Sequence, residues 1–366
     1  MSLPDPSASS SSVSPSTSSS SSSTGSDGSG RAPRRWLIVA PVALMLLLAI
    51  GWTGLWFYAA DRASQEIDNW IAAEAAQGRT WSCADRQLGG FPFRFELICE
   101  QPSLVLAGPG QWKATAARAH AVAQVWNPGH IIAEFAGPAE LTEATTGRSV
   151  SAQWSLLQVS AVGTSSRPER MSLMAEDFAL SVEGKQISSA REAVLHVRHH
   201  PGADEGTLDI ATGVKGARGM LAGTGQGPEV DGELQASVTA VPDFRPMVPE
   251  ERIRLWQEAG GRVKLQVARL SAANGVLNAS GEFGLDAELR LDGTLDVAMT
   301  QAPALMSALS AAGLMPGLMV NLAPAMTAFG SPTTLDGAPA SGFRFTFTNG
   351  RAMLGMIPLG RIGPVL

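Results

Sequence analysis

A run of 25 residues, from Trp36 to Ala60, contains no Asp, Glu, Lys, Arg or His. As an α-helix this run would be about 37 Å long, enough to cross a hydrocarbon core of about 30 Å with some tilt. Aromatic residues stand at both ends, Trp36 at one and Trp56 and Tyr58 at the other, as suits the two membrane–water interfaces. The run therefore predicts a transmembrane helix over 36–60.

The charges beside this run predict its orientation. Arg31, Arg34 and Arg35 precede it, whereas Asp61 and Arg62 cancel each other after it. By the positive-inside rule, the N-terminus lies in the cytoplasm and the residues that follow the helix lie outside it. A cleaved signal peptide is the alternative, but the run is longer than the 7–15 apolar residues of a signal sequence and lacks an A-x-A exit. An uncleaved single-pass anchor is therefore favoured.

Two segments flank the anchor. Residues 1–30 contain 16 serines and almost no large apolar side chain, so they cannot bury enough surface to offset backbone entropy. We expect a disordered cytoplasmic tail over 1–35. Residues 61–80 have the composition of an amphipathic helix that ends near Gly78, read either as a continuation of the anchor or as a short helix packed on the following domain.

The residues after 80 change to a period of two, which is typical of half-buried strands. Apolar and polar residues alternate over Phe91–Cys99, Val263–Val267, Leu285–Leu291 and Phe343–Phe347. Asn274-Gly275, Asp292-Gly293 and Asn349-Gly350 are dipeptides typical of tight hairpin turns. We expect a mainly β domain with few helices (α+β) over 81–366, built from an antiparallel sheet that is curved or sandwich-like.

Helices are predicted at two places in this domain. Residues 248–259 begin with Pro249 and two acidic residues and end at two glycines, which are start and stop signals of a helix. Residues 303–329 are small, apolar and rich in Met, and we expect two helical segments there, Pro303–Ala312 and Leu318–Phe329, lying against a sheet.

The two cysteines, Cys83 and Cys99, both follow the anchor and are therefore expected in an oxidising compartment. A disulfide between them would close a loop of about 17 residues and remove roughly 3 kcal/mol of unfolded-state entropy. A redox-active pair is normally spaced C-x-x-C, so a structural disulfide is favoured.

Residues for catalysis or metal binding are not marked out by any pattern. The cluster His196-x-x-His199-His200 lacks the Glu of H-E-x-x-H and is read as a surface cluster on a strand rather than a metal site. No nucleophile motif is present, and a net charge of −6 argues against a nucleic-acid partner. We therefore expect no enzymatic activity and no cofactor.

Several blocks of the sequence together resemble an uncharacterised bacterial family, the domain of unknown function 2125, found mainly in alphaproteobacteria. The blocks are Ile67–Ile71, Gly78–Cys83, Gly89–Phe95 with Cys99 after it, and Asn349–Leu359. The resemblance implies a protein anchored in the bacterial inner membrane, with its C-terminal domain in the periplasm and no established activity. It runs from about residue 60 to the end of the chain and says nothing of the Ser-rich tail.

The sequence leaves three functions open. The favoured one is a non-catalytic envelope factor that handles lipids or other apolar ligands, because the hairpins and apolar helices resemble AsmA-like envelope proteins at the level of fold analogy. An apolar groove would then be lined by Phe343, Phe345, Phe347 and the segment 303–329. The alternative is a scaffold that binds another envelope protein through an exposed strand edge. A hydrolase is the least favoured of the three readings.

Overall fold

The computed structural model describes residues 35–108, 110–164, 168–202, 206–219, 227–242, 247–314 and 330–365. The chain divides into two units between Trp52 and Thr53, and all the strands described below belong to the second unit. Two predictions lie outside the described residues. One is the disordered tail over 1–35, apart from Arg35, and the other is the second apolar helix over Leu318–Phe329.

Three helices are present in the described part of the chain: α1 (Arg35–Ala76), α2 (Pro249–Glu258) and α3 (Ala302–Ala311). Helix α1 continues past residue 60 without a break, so the amphipathic segment is an extension of the apolar helix and ends before Gly78. Among the described residues, α1 alone is long and apolar enough to cross a membrane. The short helices α2 and α3 confirm the predictions made for 248–259 and for Pro303–Ala312.

Strands make up most of the second unit, which confirms the mainly β fold. They are β1 (Arg79–Ser82), β2 (Asp85–Gly89), β3 (Arg94–Glu100), β4 (Ser103–Leu106), β5 (Trp112–Gln124), β6 (Asn127–Glu143), β7 (Ser149–Gln153), β8 (Leu156–Gly163), β9 (Pro168–Val182), β10 (Lys185–His199), β11 (Leu208–Ala217), β12 (Val230–Val238), β13 (Arg262–Ala272), β14 (Gly275–Leu285), β15 (Leu291–Met299), β16 (Ser331–Leu335), β17 (Ala338–Thr348), β18 (Arg351–Leu354) and β19 (Ile357–Arg361).

These strands form one antiparallel meander. Strands β3 and β4 pair with the same side of β5 and together act as one interrupted strand. Strand β2 pairs with β3 and β1 pairs with β4, so β1 and β2 form a second interrupted strand beside the first. Strands β7 and β8 in the same way fill the place between β6 and β9. From β9 to β15 each strand pairs with the one before it, and β17 then pairs with β15 on one side and with β16 and β18 on the other. Strand β19 pairs with β18.

The pairing register separates the side chains of this sheet into two faces, because residues directly opposite each other point to the same side. One side, from here on the apolar face, runs through the whole meander. Its members include Phe95, Leu97, Ala121, Ala133, Ile131, Val159, Ala161, Met171, Leu173, Leu195, Val197, Ile210, Ala236, Leu265, Ala279, Leu295, Val297, Phe343 and Phe345. The opposite side, the polar face, carries ion pairs such as Lys215–Glu192 and Arg344–Asp296.

Helix α3 packs on the apolar face at the C-terminal end of the meander. Leu305 and Leu309 are almost fully buried there, together with Val230, Met299 and Phe343. Gly275 permits this close approach, since a Cβ added to it would lie 2.6 Å from the Cβ of Leu305. The densest part of the core therefore lies between α3 and strands β12 to β17.

One of the three predicted hairpin turns is confirmed as predicted, and a second lies one residue earlier than predicted. Asn349 and Gly350 have φ angles of 50° and 69° and join β17 to β18. The turn between β13 and β14 is displaced by one residue, because Ala273 and Asn274 take the positive φ angles of 48° and 64° while Gly275 already pairs with β13.

The hairpin predicted at Asp292-Gly293, and the strand predicted over Leu285–Leu291, are wrong. Residues 286–290 form the turn, and Asp292 and Gly293 belong to β15. The Asp286 carboxylate accepts hydrogen bonds from the backbone N–H groups of Glu288 and Arg290, at 3.0 and 2.9 Å, and so closes the turn. The alternation of apolar and polar residues over Leu285–Leu291 does not indicate this turn.

The strand predicted from Phe91 begins instead at Arg94. Gly90, with φ of 99°, accepts a hydrogen bond at its carbonyl from the Arg94 N–H, and Phe91 to Phe93 lie in the turn that this bond closes. Phe91 and Phe93 are therefore 49% and 60% exposed, while Phe95 takes its place in β3.

Candidate functional site

The contact between α1 and the first strands is made by an aromatic cluster. The Trp56 ring stacks on Phe95 of the apolar face, with centroids 5.8 Å apart, and meets Phe91 edge-on at 5.5 Å. The Trp56 indole N–H donates to the Arg94 carbonyl at 3.2 Å, which leaves this side chain only 4% exposed. Helix α1 is therefore fixed to the beginning of β3.

Polar contacts hold the later turns of α1 on the same strands. Arg86 of β2 forms an ion pair with Asp68 of α1 at 2.7 Å. Glu74 accepts hydrogen bonds from both the Arg79 guanidinium and the Trp81 indole. The hydrogen bond from Arg79 is the main reason why the pKa of Glu74 lies below its usual value. The amphipathic end of α1 thus packs on the domain as well as continuing the apolar helix.

The predicted disulfide is confirmed. Cys83, between β1 and β2, is bonded to Cys99 on β3, and their Cα atoms are 5.5 Å apart. Cys99 is buried and lies on the apolar face opposite Arg86. The bond therefore ties the interruption between β1 and β2 to the strand that carries Phe95.

The apolar face is only partly covered between α1 at one end of the sheet and α3 at the other. Ile131, Met171 and Leu195 expose 46%, 46% and 38% of their surface, although their strands lie in the middle of the meander. Thr212, opposite Leu195, is the polar exception in this region, and its hydroxyl donates to the Val194 carbonyl at 2.8 Å. This half-exposed region of large apolar side chains is the candidate binding surface.

Sequence reasoning missed this region. Its signal is the alternation of Met171, Leu173 and Ala175 in β9, and of Ala193, Leu195 and Val197 in β10. Each run is short and contains no aromatic residue at the alternating positions. Only the pairing of β9 with β10 shows that the two runs share a face.

The phenylalanines predicted to line a groove lie on the apolar face as a continuous row. Phe343, Phe345 and Phe347 stand opposite Val297, Leu295 and Gly293. Phe343 is buried beneath α3, Phe345 packs against the same cluster and Phe347 is half-buried. The structure thus brings the Phe row and α3 together in the core. Contact of this row with a ligand stays a prediction.

The polar face carries a hydrogen-bonded cluster centred on Asp209. Its carboxylate accepts hydrogen bonds from the His200 ring at 2.8 Å, from the Ser237 hydroxyl at 2.9 Å and from Arg198 at 3.2 Å. Burial alone would raise the pKa of Asp209, but these hydrogen bonds outweigh it and hold the pKa below its usual value. Asp209 is therefore an ionised structural link between β10, β11 and β12.

This cluster lines a depression of about 530 Å³ that also includes Ser172 and His196. The arrangement does not form a nucleophilic triad, because Asp209 lies between Ser237 and His200 where a triad needs the histidine in the middle. The Nδ1 atom of His196 lies 2.9 Å from the Ser172 hydroxyl. Among the described residues, no carboxylate contacts this pair.

Metal binding finds no support in the described ranges, where no three His, Cys, Asp or Glu residues lie together in a group that would hold an ion. His120 and His130 are each paired with a residue of a neighbouring strand, His120 with Glu96 and His130 with Ser160. The expectations of no metal, no cofactor and no enzymatic activity stay predictions.

Comparison with known proteins identifies a family. The model of a family described as "Uncharacterized protein conserved in bacteria (DUF2125)" matches residues 56–363, from the aromatic contact at Trp56 to two residues beyond the last strand. No curated protein and no solved structure matches the chain.

Proposed function

Because the chain belongs to the DUF2125 family of uncharacterised bacterial proteins, which supplies no activity, we propose a function from its own geometry. The protein is a non-catalytic envelope protein that α1 anchors in the inner membrane. Its apolar face binds the acyl chains of lipids. The domain that follows α1 lies in the periplasm. The disulfide Cys83–Cys99 supports an oxidising compartment, and the arginines before α1 support this orientation.

The observation that carries the proposal is the half-exposed apolar face. Water-soluble proteins rarely leave large contiguous apolar patches uncovered, and those that do usually bind a partner, a membrane or a ligand there. Ile131, Met171 and Leu195 come from three different strands and are joined through the register of β6, β8, β9 and β10. The patch is thus a property of the sheet and not of one exposed side chain.

The side chains around these residues favour a flexible, linear ligand. Ala121, Ala133 and Ala161 lie in adjacent strands on the same face and fill little of the space above the sheet. Alanines flanked by larger residues leave a shallow channel, and an acyl chain of a lipid fits such a channel without needing a polar partner. Each methylene that leaves water there contributes about 0.8 kcal/mol.

The position of the face also favours a lipid from the membrane over other apolar ligands. Phe95 is at the N-terminal end of the face and contacts Trp56 of α1, which belongs to the uncharged run of the helix. The face therefore begins where the anchor ends, so an acyl chain that leaves the bilayer beside α1 reaches apolar side chains directly.

The test is photo-crosslinking in living cells with full-length protein. Leu195 and His196 are neighbours on β10 that point to opposite faces of the sheet, so p-benzoylphenylalanine placed at either position reports on one face each. Cells are grown with an alkyne-bearing fatty acid, irradiated, and the purified protein is probed for the alkyne.

We expect an alkyne-bearing adduct from position 195 and none from position 196. An adduct of equal yield at both positions, or none at either, contradicts the proposal. A cross-link from 195 to a peptide of residues 315–329 of the same chain also contradicts it, because the face would then be covered by the protein itself.

A scaffold role is the second candidate, and one observation favours it. All five residues of β19 are exposed, including Ile357 and Leu359 at 48% and 52%, and β19 pairs only with β18 in the part of the chain that the structure describes. An edge strand of this kind can accept a strand from a partner. Photo-crosslinking from position 359 distinguishes the two functions, because a scaffold gives a discrete protein adduct there.

A further inference from the structure

Two turns of the domain present aromatic side chains on one surface beside α1. The first turn joins β2 to β3 and carries Phe91 and Phe93; the second joins β5 to β6 and carries Trp126. The Val125 N–H donates to the Phe93 carbonyl at 3.1 Å, and the rings of Phe93 and Trp126 are 6.3 Å apart between centroids. We call Phe91, Phe93 and Trp126 the aromatic turn surface.

This surface is unusually apolar for its exposure. Phe91, Phe93 and Trp126 are 49%, 60% and 64% exposed. Residues 89–93 and 124–129, which comprise the two turns and the strand ends beside them, contain no ionisable side chain. Turns of water-facing domains are normally polar, so three exposed aromatic rings on uncharged turns indicate a surface that meets an apolar phase.

The contacts with α1 fix the depth of this surface along the helix. Phe91 meets Trp56 at 5.5 Å and stacks on Phe57 at 5.9 Å between ring centroids. Both α1 residues belong to the uncharged run, and Phe57 precedes Asp61, the first charged residue after that run, by four positions or about 6 Å of helical rise. The aromatic turn surface therefore lies at the level where α1 leaves the hydrocarbon core.

We propose that the aromatic turn surface inserts into the interfacial layer of the same membrane leaflet from which α1 emerges. Rings of Trp and Phe at a membrane–water interface bury apolar surface among the acyl chains, and Trp also keeps its N–H at the headgroup level. The surface is a second attachment of the domain to the bilayer, independent of acyl-chain binding on the apolar face. The occupant is the membrane itself, because the turn and the anchor share one depth.

The experiment measures the depth of single positions in full-length protein reconstituted into liposomes of phosphatidylethanolamine and phosphatidylglycerol. Phe93→Cys and, separately, Trp126→Cys are labelled with the fluorophore NBD under oxidising conditions, in which Cys83 and Cys99 remain paired. Met356→Cys, at a turn residue that is 94% exposed, is the matched control. Quenching by phospholipids with a nitroxide at carbon 5 of the acyl chain is then compared.

We expect quenching at positions 93 and 126 to be several times stronger than at 356, with a blue-shifted NBD emission at the first two. Quenching at 93 and 126 equal to that at 356 overturns the proposal. Leu47→Cys, within the uncharged run of α1, reports on the anchor: if it is not quenched either, the anchor itself is absent and the proposal falls with it. Lipid bound on the apolar face is reported separately by Leu195→Cys, so quenching at 195 without quenching at 93 supports lipid binding and overturns docking.

Discussion

Trp56 of α1 stacks on Phe95 of β3 with ring centroids 5.8 Å apart and ring planes inclined by 22°. This contact joins the end of the uncharged helical run to the first strand that carries the apolar face. A membrane anchor linked to its domain by a free tether makes no such contact. The stack therefore fixes the turn of α1 that carries Trp56 against β3.

Replacing Trp56 by Ala is expected to destabilise the domain. The side chain is 4% exposed and donates to the Arg94 carbonyl, so its removal leaves both a cavity and an unpaired carbonyl, at a cost of about 3–5 kcal/mol. Thermal unfolding of the purified full chain, followed by near-UV circular dichroism, is expected to shift down on the order of 10 °C. Trp36→Ala, at a residue of the same helix that is 77% exposed, is the control and is expected to leave the transition in place. Equal transitions in all three proteins contradict the role given to Trp56.

Closure of the disulfide is expected to stabilise the domain. Joining Cys83 to Cys99 closes a loop of about 17 residues, for which chain entropy gives roughly 3 kcal/mol. The double variant Cys83→Ala/Cys99→Ala is expected to unfold at lower denaturant concentration than the oxidised protein, and at nearly the same concentration as the reduced protein. A double variant as stable as the oxidised protein shows that the bond contributes nothing to stability.

Replacing Gly275 by a larger residue is expected to destabilise the domain. A Cβ at this position would lie 2.6 Å from the Cβ of Leu305, which is itself fully buried on α3. Gly275→Ala is therefore expected to lower the free energy of unfolding by about 1–3 kcal/mol. Gly89→Ala is the matched control, since Gly89 also lies in a strand and has open space where its Cβ would be. The comparison of urea midpoints checks the difference; a smaller loss in Gly275→Ala than in Gly89→Ala contradicts it.

The architecture of this chain was predictable where the residues of a segment decide its structure by themselves. The uncharged run, the Cys83–Cys99 pair and the turn at Asn349-Gly350 are each decided by their own residues, and all three are found as expected. The turn at 286–290 was not predictable in this way. Leu285, Ala287, Leu289 and Leu291 alternate like a strand, but the Asp286 side chain bonds the backbone of its own turn and the chain reverses there.

The candidate surface escaped prediction for a different reason. Phe343 is the more conspicuous residue in the sequence, and its strand alternates strongly, yet α3 covers it. Leu195 is inconspicuous but remains exposed, because no described helix packs on β10. Which part of an apolar face stays open depends on where the helices settle, and single-strand periodicity carries no information about that.

The ionised state of Asp209 is expected to link stability to pH. Its pKa in the folded protein is lower than in the unfolded chain, where an Asp has a pKa of about 3.9. The folded state therefore binds fewer protons at this group, and the stability that Asp209 contributes is fully present above the unfolded pKa. It is lost as the pH falls from about 5 through the folded pKa. Melting temperatures measured between pH 3 and pH 7 are expected to fall less steeply on acidification in Asp209→Asn than in the wild type. Parallel curves contradict this linkage.

A carboxylate on the apolar face is expected to block acyl-chain binding without unfolding the sheet. Met171 is 46% exposed on β9 and stands opposite Val197, two positions from Leu195 on the neighbouring strand. Met171→Asp places a charge beside the proposed channel, where a neighbouring acyl chain would prevent its full hydration. The yield of alkyne-bearing adduct from p-benzoylphenylalanine at position 195 is therefore expected to fall at least several-fold. Ser172→Asp places the same charge one residue away on the polar face and is expected to leave the yield unchanged. Equal losses in the two variants would mean that the charge acts through the fold or the membrane, and loss in neither would show that the adduct at 195 does not depend on an apolar channel.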